Sequence, residues 1–262
     1  MPFLRRDDVV LHFEQTEGSA QPIVLVHGWC CDHTYFAAQA EHFARTGHGV
    51  VAVDLRGHGR SDKPQQAHTM QVFADDVAWL CGQLGLEKPI VIGHSMGGNV
   101  AFELAARYPD LPGAIVMLDA PVVRPAASYA AIPAFLDQLR GPAYAAAQRD
   151  YVARALFIAT DDAGRKARIL DAMASVPQHV MVAAFEGLRD YDASEAQGRI
   201  AAPSLYIAAN EPQPRCDIAR LRELVPHLHY GQTVGSGHFC QIEVPAQINA
   251  MIDRFLAIAL EA

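Results

Sequence analysis

Five short runs, "PIVLVHG" (22–28), "GVVAVDLRG" (49–57), "PIVIGHS" (89–95), "GAIVMLD" (113–119) and "PSLYIAA" (203–209), are almost continuously apolar and rich in β-branched residues. Strict alternation of apolar and polar residues would mark a sheet with one wet face. Continuous runs of this length suit strands buried on both faces, as in a parallel sheet. Helical stretches such as "MQVFADDVAWLCGQLG" (70–85) and "MGGNVAFELAARYP" (96–109) lie between them. Parallel neighbours need crossovers, so this order predicts a doubly wound, mostly parallel α/β sheet with right-handed connections. "VVLHF" (9–13) adds a strand at the N-terminal edge.

One interval breaks the rhythm. Between Pro121 and about Arg199 there is no strand signal, and alanine is abundant. Breaks at Gly141-Pro142, Asp161-Asp162 and Pro177 divide it into four helical units. In the last, Val180, Met181, Ala184, Phe185 and Leu188 form an apolar stripe. We expect a helical cap at 121–199, inserted into a core of residues 1–120 and 200–262. It would cover the C-terminal edge of the sheet, where open α/β sheets bind ligands.

A chain of 262 residues can bury an ample core. Its net charge of -8 argues against nucleic acid or an anionic membrane as a partner, and leaves a small-molecule substrate open. "MPFLRRDDVV" has no apolar signal region, and no apolar run approaches the ~18 residues of a membrane span. The five cysteines (Cys30, Cys31, Cys81, Cys216, Cys240) are odd in number and lack CxxC spacing. Free thiols in the cytoplasm are expected, with no metal site.

"GHSMG" (93–97) places Ser95 in a GxSxG pattern that ends an apolar strand and opens a helix. That context makes the pattern a nucleophile elbow: a tight turn lifts the hydroxyl out of the sheet, and the helix behind it offers backbone N–H groups. His94 is adjacent to the serine and is expected to be structural. Acyl transfer needs two N–H donors for the oxyanion. Met96 would give one, and Trp29, in the loop "HGWCCD" after an earlier strand, the other. "DLRGHGRSD" (54–62) lacks the spacing of a dinucleotide loop and is expected to be a turn that includes His58. Among twelve histidines, His238 in "GSGHF" fits a catalytic base, because it follows a strand-like run and precedes the helix near Pro245. Such a base predicts a rate that rises through an apparent pKa of roughly 6–7.5.

The order "HGWC", "DLRGHGRSD", "GHSMGG", a helical insertion and "GSGHF" resembles the α/β-hydrolase fold superfamily along essentially the whole chain. The resemblance implies an eight-stranded sheet, with the helical cap inserted after the sixth strand. It also implies a triad acid, usually after the strand "PSLYIAA", where this chain has Pro212 with Glu211 beside it and Asp217 further on. Asp119, at the end of the strand following the elbow helix, could reach the same imidazole. A minority of the superfamily, including zearalenone-type lactone hydrolases and cofactor-free quinolone dioxygenases, uses that placement. Asp119 is the preferred acid, with Glu211 and Asp217 as alternatives.

The leading expectation is a serine hydrolase of a carboxylic ester or lactone, using Ser95, His238 and Asp119 and no cofactor. A cofactor-free dioxygenase of an N-heteroaromatic substrate, resembling this chain in its "GWC" loop, is the runner-up. A carbon–carbon bond hydrolase and a non-catalytic receptor follow. Dehalogenases and epoxide hydrolases of the fold need a carboxylate where this chain has Ser95.

Overall fold

The apolar runs of the sequence become the centre of one sheet. The computed structural model describes residues 2–260, and among these eight strands pair in the order β1-β2-β4-β3-β5-β6-β7-β8. They are β1 (Phe3–Arg6), β2 (Val9–Thr16), β3 (Ala20–Val26), β4 (His48–Val53), β5 (Ile90–His94), β6 (Ala114–Leu118), β7 (Ser204–Ala208) and β8 (His229–Gln232). Strands β3 to β8 pair parallel, and β1 and β2 antiparallel. The edge position expected for β2 belongs to β1, whose "FLRR" is too polar to read as a strand.

Helices α1 (Ala37–Arg45), α2 (Met70–Gln83) and α3 (Met96–Arg107) follow β3, β4 and β5. Between β6 and β7 lie α4 (Ile132–Arg140), α5 (Tyr144–Ala155), α6 (Ala163–Ala174) and α7 (Gln178–Asp190). Their limits fall at the Gly-Pro, Asp-Asp and Pro breaks read from the sequence. The chain ends with α8 (Ile218–Leu224), α9 (Cys240–Glu243) and α10 (Pro245–Ala259).

Because side chains alternate across a strand, a sheet buried on both faces builds two cores. Ile23, Leu25, Ile90, Ile92, Val116 and Leu118 pack on one side with Phe43 of α1 and with Ile248, Ile252 and Phe255 of α10. Val24, Val26, Val91, Ile115 and Met117 face the other way, onto Phe73 and Val77 of α2 and Val100 and Leu104 of α3. That second cluster continues into Phe135, Val152, Met181 and Phe185 of the helical insertion. The insertion therefore shares a core with the body of the protein. All five cysteines are buried and free, and no helix is long and apolar enough to cross a membrane.

Candidate active site

Ser95 stands between β5 and α3 with φ 53° and ψ −120°, a conformation that costs a non-glycine residue strain. The neighbouring glycines make the turn possible. A Cβ on Gly93 would lie 2.0 Å from the Gly97 carbonyl oxygen, and one on Gly97 would lie 2.0 Å from that of Val26. The Ser95 N–H still donates to Leu118 O (2.9 Å), which ties the turn to the end of β6.

Directly after that strand comes Asp119, buried and itself in a left-handed conformation (φ 46°). Its Oδ2 accepts from His238 Nδ1 (2.6 Å) and from Arg215 Nε (2.9 Å), and its Oδ1 accepts from the Ala209 amide (3.0 Å). Burial would push this carboxyl upward. The His238 hydrogen bond, the charges of His238 and Arg215 and the Ala209 amide outweigh it and hold the pKa below the ordinary value. Donation from Nδ1 leaves His238 with its lone pair on Nε2. Both His238 and Ser95 line a cavity of about 610 Å³.

The two alternative acids lie elsewhere. Asp217 caps α8 by accepting from the Arg220 amide (3.0 Å). Glu211 bonds Arg215 Nη2 (2.7 Å), not the imidazole, and burial pushes its pKa up to about 7. It is nonetheless close: carboxylate oxygens of Asp119 and Glu211 and a ring nitrogen of His238 lie within 4.8 Å of one another. Three such groups could hold a cation in principle. Here the Arg215 guanidinium already supplies the positive charge, and both Asp119 oxygens are engaged, so the cluster does not fit a metal.

Arg215 is the residue that the sequence reading missed. Besides Asp119 and Glu211, it donates to the carbonyl of Ala155 at the end of α5 (2.6 Å). The i, i+4 pairing of Glu211 with Arg215 in "NEPQPRCD" was its only visible trace. Its consequence is a correction to the expected titration. Burial lowers the His238 pKa first and the Arg215 charge lowers it further, against the opposing pull of Asp119, to about 4 rather than 6–7.5.

His94, expected to be structural, lines the cavity with its ring 4.6 Å from that of His238, and it also makes a specific backbone contact. It is neutral because burial drives its pKa well down, and its Nε2 meets the backbone carbonyl of His238 at 2.8 Å. The elbow strand thus holds the histidine loop. Trp29 lines the cavity, with its ring edge-on to Phe135, Tyr151 and Phe185, and its Nε1 donates to Met181 O in α7 (3.0 Å). Neither the Trp29 nor the Met96 amide N–H is taken up by an acceptor among the described residues. His58 is buried in the turn after β4, where its Nδ1 meets Arg56 O (3.0 Å).

Residues 21–245 match the family model described as alpha/beta hydrolase fold, and the chain belongs to that family. It is 35% identical over 106 residues to an AB hydrolase superfamily protein of Bacillus subtilis, covering 40% of each chain. It is 36% identical over 114 residues to a bifunctional esterase/perhydrolase of Acinetobacter calcoaceticus, covering 43% of this chain and 41% of that one. The matches thus span about two fifths of the length of these curated relatives. A thermophilic esterase from Thermogutta terrifontis, solved with malate bound, superposes with a TM-score of 0.84 at 25% identity, over 96% of this chain and 94% of that one.

Proposed function

We propose that this α/β hydrolase is a serine hydrolase that cleaves a carboxylic ester or lactone through an acyl-enzyme. One observation carries the reading: the strained turn at Ser95 and the Asp119-bound imidazole of His238 open onto the same cavity. Ser95 Oγ attacks the carbonyl carbon, and His238 Nε2 takes the serine proton. Asp119 keeps the Nδ1–H tautomer and stabilises the imidazolium that forms. The Trp29 and Met96 amides receive the oxyanion. His238 then returns the proton to the leaving alcohol, and water, deprotonated by the same nitrogen, releases the acid. A neutral imidazole at ordinary pH suits this first step. The esterase likeness of the relatives is consistent with it.

The test is covalent. A fluorophosphonate should add one label to the wild type, mapping to the peptide that contains Ser95, and none to Ser95→Ala. The same substitution should lower ester turnover on the order of 10⁴-fold or more. Labelling at another residue, or retention of a tenth of the wild-type rate, would reject covalent catalysis by Ser95. Oxygen uptake with a quinolone and no ester turnover would favour a dioxygenase instead.

A further inference from the structure

The whole chain carries -8, yet the charged groups on the cavity wall are Arg124, Arg154, Arg215 and Glu211. Two of the three arginines are committed. Arg215 holds Asp119 and Glu211, and Arg154 pairs with Asp150 one turn back on α5. Arg124 is different. The groups that act on it are Tyr151, Tyr129 and Arg215, and no acid is among them. Its guanidinium sits 6.0 Å from the centre of the Tyr129 ring, at the outer limit of a cation–π contact.

The backbone around it is not loose. Val123, the preceding residue, accepts from the Asp217 amide (2.8 Å) and donates to Cys216 Sγ (3.4 Å). Pro125 follows. The segment that leaves β6 is thereby pinned to the loop before α8, with Arg124 held against the cavity. Drawing a guanidinium partly out of water without a counter-charge is unfavourable, and burial indeed lowers its pKa. An arginine offers a planar fork that matches a carboxylate with two parallel hydrogen bonds. The remaining wall, including Phe135, Tyr151 and Phe185, is aromatic and suits a short hydrocarbon spacer.

We propose that Arg124 anchors a free carboxylate of the substrate, so that the site takes an ester or lactone bearing a second, ionised acid group. This rests on the serine-hydrolase reading above. The guanidinium holds the free carboxylate while Ser95 attacks the ester carbonyl, and hydrolysis yields a dicarboxylate, or a hydroxylated one from a lactone.

The experiment compares matched p-nitrophenyl esters: the mono-esters of succinate, glutarate and adipate against butanoate, pentanoate and hexanoate. In the best pair, the wild type should favour the acid-bearing ester by about 10- to 100-fold in kcat/KM, chiefly through KM. Arg124→Gln should collapse that ratio to near unity, and Arg124→Lys should restore part of it. A wild-type ratio near one in all three pairs, or a ratio that Arg124→Gln leaves intact, would overturn the proposal. If no ester is turned over at all, the hydrolase reading fails. Calorimetric titration with glutarate then decides the anion site: binding by the wild type that Arg124→Gln loses supports it, and equal or absent binding overturns it. Thermal unfolding of both variants confirms that the fold persists.

Discussion

Two buried aspartates in this protein hold histidines in almost the same way, and the histidine of one of them lines the cavity beside Ser95. Asp119 follows β6 and binds His238 Nδ1 at 2.6 Å. Asp54 follows β4 and binds His12 Nδ1 at 2.8 Å and His33 Nδ1 at 2.9 Å. Asp54 also accepts from the backbone amides of His33 and Arg60 (2.8 and 2.9 Å), so it gathers three stretches of chain around one carboxylate. Gly59 passes so close that a Cβ there would lie 2.2 Å from the Asp54 carboxyl carbon. The comparison teaches that a histidine–aspartate hydrogen bond is not in itself a sign of catalysis. What sets the Asp119 pair apart is the cavity in front of the imidazole, the strained serine that shares it, and Arg215 behind.

The two sites also push their imidazoles in opposite directions. His33 is only partly buried, and the Asp54 hydrogen bond raises its pKa. Burial and then Arg215 lower His238 to about 4 despite its own aspartate. Both aspartates favour the cation, and at His238 burial and the Arg215 charge outweigh that pull.

Substitution should separate the two most sharply. Asp119→Asn keeps shape but loses the charge that opposes the imidazolium. We expect kcat/KM on an ester to fall ~10²–10⁴-fold, as in serine proteases, with a loss of stability as well, because Arg215, His238 and the Ala209 amide share that carboxylate. Asp54→Asn should cost about 2–4 kcal/mol of stability because several buried donors lose their acceptor, and should leave kcat/KM of the folded protein near the wild-type value. Measuring kcat/KM and chemical unfolding on both variants breaks the comparison if kcat/KM falls alike in the two, or falls in Asp54→Asn alone.

The next largest effect is in pH. The base must be neutral, so the acidic limb of kcat/KM should lie near pH 4, with a flat rate from about pH 6 to 8. Arg215→Gln removes a charge that lowers His238, and the limb should move upward. A limb that stays near 4 in that variant would show that burial alone sets it. Stability follows the same groups with opposite signs. His238 is depressed from 6.5, so the unfolded chain binds its proton first, and stability falls as pH drops from about 6.5 to 4. His33 is raised, so its contribution is complete below 6.5 and is lost as pH rises through its folded pKa.

The smallest effect belongs to Glu211→Gln. It leaves the His238–Asp119 bond in place and frees Arg215 from one partner, so a loss below about tenfold in kcat/KM is expected. A larger loss than that of Asp119→Asn would return the acid to its usual strand.

What was legible in the sequence follows from how many constraints act on each residue locally. β3 to β7 could be read because both faces are dry, and apolar residues then run without interruption. β1 has only Leu4 packed against the core and lacks that signature; β8 ("HYGQ") is largely exposed and lacks it too, and shows in the sequence only as the strand-like run before His238. Ser95 and His238 were visible because glycines crowd their turns. Asp119 was legible only as the last residue of a core strand, in a superfamily where the acid usually follows the next strand and only a minority places it here. Arg215 was not legible. Its partners are 60 residues and more away in Ala155 and Asp119, and nothing in "QPRCD" says which way the loop folds.

The Arg215 side chain holds Asp119 in the sheet and the last carbonyl of α5 in the helical layer at once. It is a tie common to the helical layer and the buried Asp119–His238 pair. Tyr151, Arg154 and Ala155 of α5 line the cavity, so a displacement of that helix would have to stretch or break the bond to Ala155 and leave the guanidinium to Asp119, Glu211 and solvent. The position of α5 and the electrostatic setting of His238 are therefore mechanically joined through one side chain.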